Sequence, residues 1–415
     1  MKHEFGRTTL HPWGLGVNNR ASDRALPEEA VRNAVNIDFI DETSLRSRKG
    51  RTKVYSALST KSGYSCPLGM FFVEGPTLKK FDPANGTATT VLTGVSASHR
   101  TFEYFDGILY FSDGVIARKI AASAVMQWGM IPPAAPVLST TAGTYGEGVY
   151  LAACCWVDAA GVESGASPVT SVWATSTSGI IFNNLSATSD PQISALRLYL
   201  STANGKEMYH VADVAPGTTS YTIAAGGYDQ GSVLENLFIS PAPAGRIIRF
   251  YKGRAYVADA AGGVWYTDPF EYDHFNLMDN YLQFPSSVDI MEPVKDGIFF
   301  AYGDKTEFYA GTPEEGFDIT SDIFNYGGVL GTGKRVPNSD NVCWQSQRGM
   351  VVGGPGGQCK NVQEANVAVE SAVSGAAFIR EQDGVRQFIA SLKQPTNSPL
   401  AATAWITAEQ IRREA

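Results

Sequence analysis

Asp106-Gly107-Ile108-Leu109-Tyr110-Phe111 is a tight turn followed by an aromatic strand, and Ser112-Asp113-Gly114 is a second turn after it. Asp383 to Ile389 is a shorter, partial copy of the same pattern. Because a two-stranded hairpin cannot bury its apolar face alone, recurring hairpins predict a repeated sheet architecture. Three further copies occur in the chain, at Lys252-Gly253-Arg254-Ala255-Tyr256-Val257, Asp296-Gly297-Ile298-Phe299-Phe300 and Arg348-Gly349-Met350-Val351-Val352.

The spacing of the turn glycines predicts the kind of repeat. Gly253 and Gly297 are 44 residues apart, and Gly297 and Gly349 are 52 apart. A four-stranded propeller blade takes roughly 40–50 residues, so each interval accommodates one blade. Gly107 and Gly253 are 146 residues apart, which is about a hundred residues too many for one blade. The sequence therefore predicts an all-β, β-propeller-like fold with an insertion in this interval.

The insertion begins at a proline-rich stretch, residues 131–137, and ends near residues 240–245. Its size, about a hundred residues with short strands, is that of a β-sandwich. With Trp156, Leu198-Tyr199-Leu200-Ser201 and Tyr209-His210-Val211-Ala212, it resembles fibronectin type III modules. Turns rich in Gly, Asn and Asp separate six predicted strands, at Gly148–Val157, Ser171–Ala174, Ile180–Leu185, Ala195–Ser201, Met208–Val214 and Ser220–Ile223.

Four segments follow from these patterns. We predict propeller sheets at 1–130 and 244–393, the fibronectin type III-like sandwich at 131–243, and a linker with a short tail at 394–415. Helix signals are confined to Pro27–Val35, with a Pro and two Glu at its start, and to Thr407–Ala415, where Thr407 is a candidate cap.

The amino-acid composition limits the classes of function that the chain can have. The 415 residues are 44% hydrophobic and 18% charged, typical of a globular protein with a large core. The net charge of −8 argues against a nucleic-acid clamp, which needs clustered cations. No apolar run approaches the ~18 residues of a membrane span. The first residues lack the apolar stretch of a signal peptide, so we expect no export by the usual route.

The cysteines predict thiols rather than disulfides or zinc. Their number is odd, and no Cys-x-x-Cys pair is present. We expect buried or inert thiols in a chain that folds in a reducing compartment, with one of Cys154 and Cys155 facing a core. The remaining cysteines are Cys66, Cys343 and Cys359.

Two motifs could belong to a nucleotide-binding or a catalytic site, but a structural interpretation is favoured for both. Residues 328–335 approach a phosphate-binding loop, but Arg335 stands where Ser or Thr would hold Mg²⁺, and Pro337 prevents a prompt helix. An inter-blade loop is the better interpretation. His274 has acidic neighbours and is a candidate base, but among aromatic residues in a turn it favours a packing and hydrogen-bonding role.

The acidic and aromatic residues also have structural explanations. Four carboxylates lie in turns, where they can accept hydrogen bonds from the turn N–H groups: Asp106, Asp113, Asp296 and Asp304. A glycosidase would instead need two carboxylates that face each other across a pocket. The aromatic strands are more typical of blade packing than of a sugar or base platform. We therefore predict no catalytic, cofactor-binding or metal-binding residues and no cofactor.

A longer region carries a more specific resemblance. It consists of Tyr266–Phe275, Asn280–Val288, Pro293–Phe300 and Thr306–Gly311. This region is similar to the nozzle, hub or stabilisation proteins of bacteriophage tails. Asn36–Ile40 leading to Leu45–Gly50 resembles the opening hairpin of that family, although Asp41-Glu42-Thr43-Ser44 forms the turn where a Gly is usual.

The resemblance implies a structural, non-enzymatic virion protein assembled in the host cytoplasm. Such a subunit would form a homo-oligomeric ring, sixfold by the resemblance, that extends the DNA channel below the portal and acts in DNA retention and ejection. Its partners would be portal or adaptor proteins and tail fibres or spikes, with viral DNA passing without specific binding. The alternative is a carbohydrate-active or carbohydrate-binding β-propeller protein, and an adhesion or lectin module is a third reading.

Overall fold

The computed structural model describes residues 15–35, 37–39, 45–47, 52–56, 60–122, 124–226, 229–382 and 385–395. The chain divides into two compact units. Unit 1 comprises Met1–Ala57 and Ser286–Ala415, and unit 2 comprises Leu58–Pro285. Within the described residues the only helical element is a short 3₁₀ turn, Pro355–Gly357. None of the described helical structure has the length and apolar character needed to cross a bilayer.

The N-terminal part of unit 1 contains two small strand pairs. β1 and β2 pair in parallel, and β3 and β4 pair antiparallel, as the opening-hairpin prediction requires. The turn predicted at residues 41–44 lies outside the described residues. The bounds are β1 Gly16–Val17, β2 Ala30–Val31, β3 Ile37–Phe39 and β4 Leu45–Ser47.

Unit 2 begins with two sheets of four antiparallel strands each, in the orders β5-β6-β7-β8 and β12-β11-β10-β9. These strands are β5 Thr60–Cys66, β6 Gly69–Glu74, β7 Thr77–Asp82, β8 Thr87–Thr93, β9 Thr101–Phe105, β10 Ile108–Ser112, β11 Ala117–Ile120 and β12 Val125–Gln127.

The predicted insertion then contributes eight strands in two sheets, of orders β13-β16-β19 and β15-β14-β17-β18-β20. Their bounds are β13 Val137–Tyr145, β14 Gly148–Asp158, β15 Thr170–Ala174, β16 Ser178–Asn183, β17 Ile193–Ser201, β18 Met208–Val214, β19 Ser220–Ile223 and β20 Asp229–Val233.

Unit 2 ends with a third four-stranded sheet, β22-β23-β24-β26, and the short pair β21-β25. Their bounds are β21 Ile239–Ser240, β22 Ile247–Tyr251, β23 Arg254–Ala258, β24 Gly263–Tyr266, β25 Phe275–Asn276 and β26 Tyr281–Gln283.

The C-terminal part of unit 1 has two more four-stranded sheets, β27-β28-β29-β30 and β31-β32-β33-β34, and the hairpin β35-β36. The bounds are β27 Val288–Pro293, β28 Gly297–Tyr302, β29 Lys305–Ala310, β30 Asp318–Phe324, β31 Lys334–Arg335, β32 Val342–Ser346, β33 Gly349–Gly353, β34 Cys359–Asn361, β35 Ser374–Gln382 and β36 Val385–Lys393.

The predicted all-β, β-propeller-like class is confirmed, because the described residues form five four-stranded antiparallel sheets of the blade type. Each of the four full sequence copies supplies an inner strand of one sheet: β10, β23 and β28 are the second strands of their sheets in chain order, and β33 is the third. The partial copy forms the two-stranded hairpin β35-β36, whose turn residues 383–384 lie outside the described residues. The sheet β5–β8 was missed, although Gly69 precedes its aromatic second strand in the same way.

Two of the repeated turns share one backbone geometry. Asp106 and Gly107 have φ of 46° and 79°, and Lys252 and Gly253 have φ of 43° and 74°. Two consecutive positive φ values are typical of the type I′ hairpin turn, whose twist matches that of the paired strands. Glycine at the second position avoids the cost of a Cβ atom in this conformation. These residues therefore set the register of β9 with β10 and of β22 with β23.

The two sheets of the insertion enclose one hydrophobic core, as the sandwich prediction requires. Cys154 and Trp156 of β14 pack there with Phe182 of β16 and Leu198 of β17. Cys155 lies on the opposite face of β14, in a second cluster with Tyr199. Both vicinal cysteines therefore face a core, whereas one was expected to. The six predicted strands correspond to β14–β19, and the fibronectin type III identity remains a prediction.

Residues 164–167 complete the hydrogen bonding of β14 beyond the end of β15. The Oγ atoms of Ser164 and Ser167 accept hydrogen bonds from the backbone N–H groups of Trp156, at 2.9 Å, and Cys154, at 3.0 Å. The backbone N–H groups of the same serines donate to the carbonyl oxygens of Trp156 and Cys154, each at 2.8 Å. The central strand is therefore paired on both sides along its buried length.

The helix expected in Pro27–Val35 is wrong. Ala30 and Val31 form β2 and pair with β1, and the carbonyl of Glu29 accepts a hydrogen bond from the N–H of Leu15 at 3.2 Å. A helix this short is marginal without tertiary support, and strand pairing uses the backbone groups instead. The second helix signal, Thr407–Ala415, lies outside the described residues, as does most of the predicted linker.

Candidate functional site

Unit 2 contains a cavity of about 580 Å³, which we call the acidic cavity. Four segments line it: residues 106–110 at the β9–β10 turn, 161–163 after β14, 232–236 at the end of β20 and beyond it, and 270–274 between β24 and β25. Tyr199 of β17 completes the wall. The sandwich and two blade sheets thus contribute side chains to one opening. Five of these are carboxylates: Asp106, Glu163, Glu235, Glu271 and Asp273.

Glu163 is held by three side chains. Its Oε1 accepts from Arg197 Nη1 and from the hydroxyl of Tyr199, each at 2.7 Å. Its Oε2 accepts from Asn236 Nδ2 at 3.1 Å. Arg197 also donates through Nε and Nη2 to both carboxylate oxygens of Asp213, at 2.8 Å each, and this lowers the pKa of Asp213. The guanidinium therefore holds Asp213 in planar, bidentate geometry and adds one charge-assisted hydrogen bond to Glu163.

Asp273 has one paired and one unpaired carboxylate oxygen. Lys119 Nζ, on β11, lies 2.6 Å from Asp273 Oδ2, and the Lys119 side chain is only 10% exposed. Asp273 Oδ1 is buried and has no hydrogen-bond partner among the described residues. A buried carboxylate oxygen without a donor is costly, so this oxygen is able to accept a further hydrogen bond.

His274 joins the 270–274 loop to the sandwich. Its Nε2 lies 2.7 Å from the backbone oxygen of Glu163, and its Nδ1 lies 3.2 Å from Glu271 Oε2. Both ring nitrogens face acceptors, so only the imidazolium form can donate to both. The packing and hydrogen-bonding role predicted for His274 agrees with these contacts.

Tyr110 reaches the cavity from the hydrophobic core of the second and third blade sheets. Its ring packs against Trp128 and Phe250, with ring centroids 4.7 and 4.8 Å apart. Only 3% of the residue is exposed. Burial raises the pKa of Tyr110, and the negative charges of Asp273 and Asp106 raise it further. The hydroxyl therefore stays protonated and available as a donor.

The rim of the cavity is partly apolar. Phe270 is 78% exposed and has a φ of 66°, and Val162 and Val233 are also exposed. The N–H of Phe270 donates to the carbonyl of Gly253 at 2.6 Å, which fixes the loop to the turn between β22 and β23. A large exposed aromatic ring beside carboxylates is a common feature of ligand-binding openings.

The structure explains most of the other residues that the sequence singled out. Asp113 accepts hydrogen bonds from the N–H groups of Ser96, Val115 and Ile116, so its predicted turn role is confirmed. Asp296 accepts from Gly356 N–H at 2.8 Å. Asp304 is exposed in a turn. Of the four predicted turn acids, Asp106 alone lines the acidic cavity.

The phosphate-loop-like stretch is a strand connection, as predicted. Thr332 Oγ1 donates to the carbonyl of Val329 at 2.6 Å, and Lys334–Arg335 then forms β31. The aromatic strands pack in cores: Phe299, for example, contacts Phe308 and Trp344. In the described part of the chain, no group of three or more His, Cys, Asp or Glu side chains is arranged to hold a metal ion.

All five cysteines are free thiols, and Cys154, Cys155 and Cys343 are buried. Burial raises the pKa of Cys154 to about 11 and that of Cys343 to about 12. Sequence reasoning missed the acidic cavity as a site. The dense run Phe270-Glu271-Tyr272-Asp273-His274 was its one local signal, and the facing residues come from separate segments earlier in the chain.

Comparisons with known proteins find only weak structural similarities. No protein-family model matches the chain, and no curated protein matches it. Among solved structures, a computationally designed protein, Ika8, is 11% identical, with 82% of this chain and 96% of that chain covered and a TM-score of 0.29. BBS1N from a complex with ARL6DN is 10% identical, with 81% and 92% covered and a TM-score of 0.32. An oligogalacturonate lyase in complex with manganese is 10% identical, with 79% and 85% covered and a TM-score of 0.27. Similarity this low says nothing about activity.

Proposed function

We propose that this chain is a structural subunit of a bacteriophage tail, a ring-forming nozzle or hub protein that extends the DNA channel below the portal. The proposal rests on the position in the fold of the residues that resemble phage tail nozzle or hub proteins. Pro293–Phe300 ends β27 and enters β28, and every residue of β28 is buried. Thr306–Gly311 covers β29, which pairs with β28 along six residues. The resembling stretches are thus framework strands and turns, as expected of a scaffold protein.

Charge supports a channel function of this kind. The chain carries a net charge of −8 and has an isoelectric point near 5.3. A negatively charged lumen repels DNA phosphates and keeps DNA from adhering during retention and ejection. Specific DNA binding would instead need a clustered cationic surface.

An exposed sheet edge supports assembly with neighbouring copies. β15 is the edge strand of the five-stranded sheet. Its Trp173 is 57% exposed, and the preceding Val169 is 42% exposed. Edge strands with exposed apolar side chains tend to pair or pack with another chain. In a ring closed by head-to-tail contacts, this edge would meet a different surface of the next subunit.

Electron microscopy of the purified full-length protein and of virion tails tests the proposal. We expect closed rings of about six subunits. A strictly monomeric particle inside intact virions would contradict it. Trp173→Lys should reduce the ring fraction if the β15 edge is an interface, whereas Val115→Lys is the matched control at an exposed position of the same unit.

A second candidate, a carbohydrate-binding or carbohydrate-active β-propeller protein, is favoured by one observation. The acidic cavity combines several carboxylates with the exposed ring of Phe270, and such groups can bind sugar hydroxyls and stack on a sugar face. A glycan array and hydrolysis assays with the intact protein separate the two functions. Binding or cleavage of a glycan, together with a monomeric state, would support this second candidate.

A further inference from the structure

The acidic cavity has an excess of negative charge. Among its five carboxylates, Glu163 is paired with Arg197 and Asp273 with Lys119. Asp106 and Glu235 form no ion pair among the described residues, and Glu271 is paired only with His274. A cavity with partly buried walls focuses such a field and concentrates positively charged molecules.

Tyr110 provides a second and independent indication of a ligand. The residue is 97% buried, given its 3% exposure, and it lines the cavity. Its hydroxyl forms no hydrogen bond with the described residues, and it is the accessible end of an otherwise buried side chain. Its electrostatic neighbours, Asp106, Tyr272 and Asp273, all line the same cavity. The hydroxyl is therefore directed toward the opening, where a bound molecule would pair with it.

We propose that the acidic cavity binds a small organic cation that carries a primary ammonium group. Its volume of about 580 Å³ is in the range of small-molecule sites. An ammonium group offers three donors, and the acceptors around the opening are the carboxylates of Asp106, Glu235 and Glu271 and the hydroxyl oxygen of Tyr110. The rings of Tyr272 and Phe270 lie on the same lining and can contact the cation or its alkyl chain.

An organic cation fits better than a metal ion. The described residues contain no cluster of three metal-ligating side chains, and the carboxylates come from four separate segments around a wide opening. Divalent cations need several oxygens at about 2.0–2.6 Å from one centre. An ammonium group instead can pair with one or two carboxylates, so it does not need several of them to converge on one centre. The ammonium can belong to a free diamine or to a lysine side chain, and the two sources share this chemistry.

The test is isothermal titration calorimetry of the full chain at low salt with 1,5-diaminopentane. The neutral 1,5-pentanediol and the anion glutarate are probes of the same length, and N-acetyl-lysine methylamide represents a lysine side chain. We expect the diamine to bind at least about tenfold more tightly than the diol, and salt to weaken its binding. Binding by the lysine derivative as strong as that of the diamine would identify a single ammonium group as sufficient. Much weaker binding would assign the site to a free diamine.

Variants locate the binding. Glu235→Gln and Glu271→Gln, both at exposed positions, should each lower the affinity for the diamine by roughly fivefold. Tyr110→Phe should lower the same affinity by a smaller factor. Glu147→Gln, an exposed carboxylate of the same unit outside the cavity, is the control and should change nothing. Circular dichroism checks that each variant is folded. Unchanged affinity in the Glu235→Gln/Glu271→Gln double variant, equal binding of the diol, or stronger binding of Ca²⁺ than of the diamine would overturn the proposal. Ring formation does not depend on these results, so the two proposals fail separately.

Discussion

Lys119 and Asp273, 154 positions apart in the sequence, form an ion pair with 2.6 Å between Nζ and Oδ2. Lys119 lies on β11, before the insertion, and Asp273 lies in the loop between β24 and β25, after it. The pair therefore links two blade sheets of unit 2 that the sandwich separates in the chain. Trp128 makes a parallel link, because its Nε1 donates to the carbonyl of Tyr272 at 2.8 Å.

Lys119→Met should destabilise the protein by about 2 kcal/mol, because it leaves the half-buried carboxylate of Asp273 without its cation. Guanidinium unfolding followed by tryptophan fluorescence measures the free energy of unfolding. The control is Lys206→Met, at an exposed position of unit 2, with an expected change within about 0.5 kcal/mol. The double variant Lys119→Met/Asp273→Asn should recover part of the loss. Equal effects of the two lysine substitutions would show that the ion pair has no structural role.

Ser164→Ala and Ser167→Ala should each cost about 1–3 kcal/mol, because each leaves a buried N–H group of β14 without an acceptor. Ser171→Ala, at an exposed position of β15, is the control and should be nearly neutral. Thermal unfolding of the three variants side by side measures the difference. Similar midpoints for all three would mean that water replaces the serine hydroxyls.

Gly107→Ala should cost about 1 kcal/mol, because its φ of 79° is unfavourable for a residue with a Cβ atom, although no atom lies within 4 Å of the added carbon. Gly107→Asn should cost less, since Asn tolerates this conformation. Gly146→Ala is the control, because it also has open space but no left-handed φ; it should be neutral or slightly stabilising. A neutral Gly107→Ala would argue against the type I′ turn.

The buried thiols should resist alkylation in the native protein. Three of the cysteines are fully buried: Cys154, Cys155 and Cys343. Cys359 is half-buried, and burial raises the pKa of its thiol to about 12. Cys66, which is half-buried, should react first with an aromatic disulfide reagent, and Cys66→Ser should remove that fast phase. All five should react in guanidinium. Rapid reaction of two or more thiols in folded Cys66→Ser protein would contradict the buried core.

The same thiols predict the direction of a pH effect. Burial raises the pKa of Cys154 from 9.0 to about 11, so the thiol form is favoured in the folded protein. The thiol of Cys154 makes its full contribution to the free energy of unfolding below pH 9. This contribution is lost as the pH rises from about 9 to 11, because the thiol ionises first in the unfolded chain. Chemical unfolding at pH 8 and pH 10.5 should show this loss. Cys154→Ala should have a smaller pH dependence over the same interval, and an unchanged one would exclude Cys154 as its source.

Local sequence patterns predicted the repeated sheets because turn glycines and strand aromatics are local signals. The turn at Gly107 and the strand after it needed no information from elsewhere in the chain. The sheet β5–β8 was missed because Thr and Lys are frequent in its last two strands, β7 and β8. The helix expected at Pro27–Val35 was wrong because strand pairing with β1 outweighed a weak local preference.

The acidic cavity could not be predicted in the same way. Glu163, Tyr199 and His274 meet only because the sandwich folds back toward the 270–274 loop. Each residue alone had an adequate structural explanation, and the sequence suggested only that His274 had acidic neighbours. Contacts between positions 36, 73 and 111 apart depend on the tertiary fold, which no local pattern encodes.

Quantitative mass spectrometry of purified virions tests the central claim most directly. Isotope-labelled peptides from this chain, measured against the major capsid protein, give the number of copies in each particle. The account predicts about six copies per virion, as a closed ring of one subunit requires. Absence of the chain from virions, or a single copy in each, would contradict it.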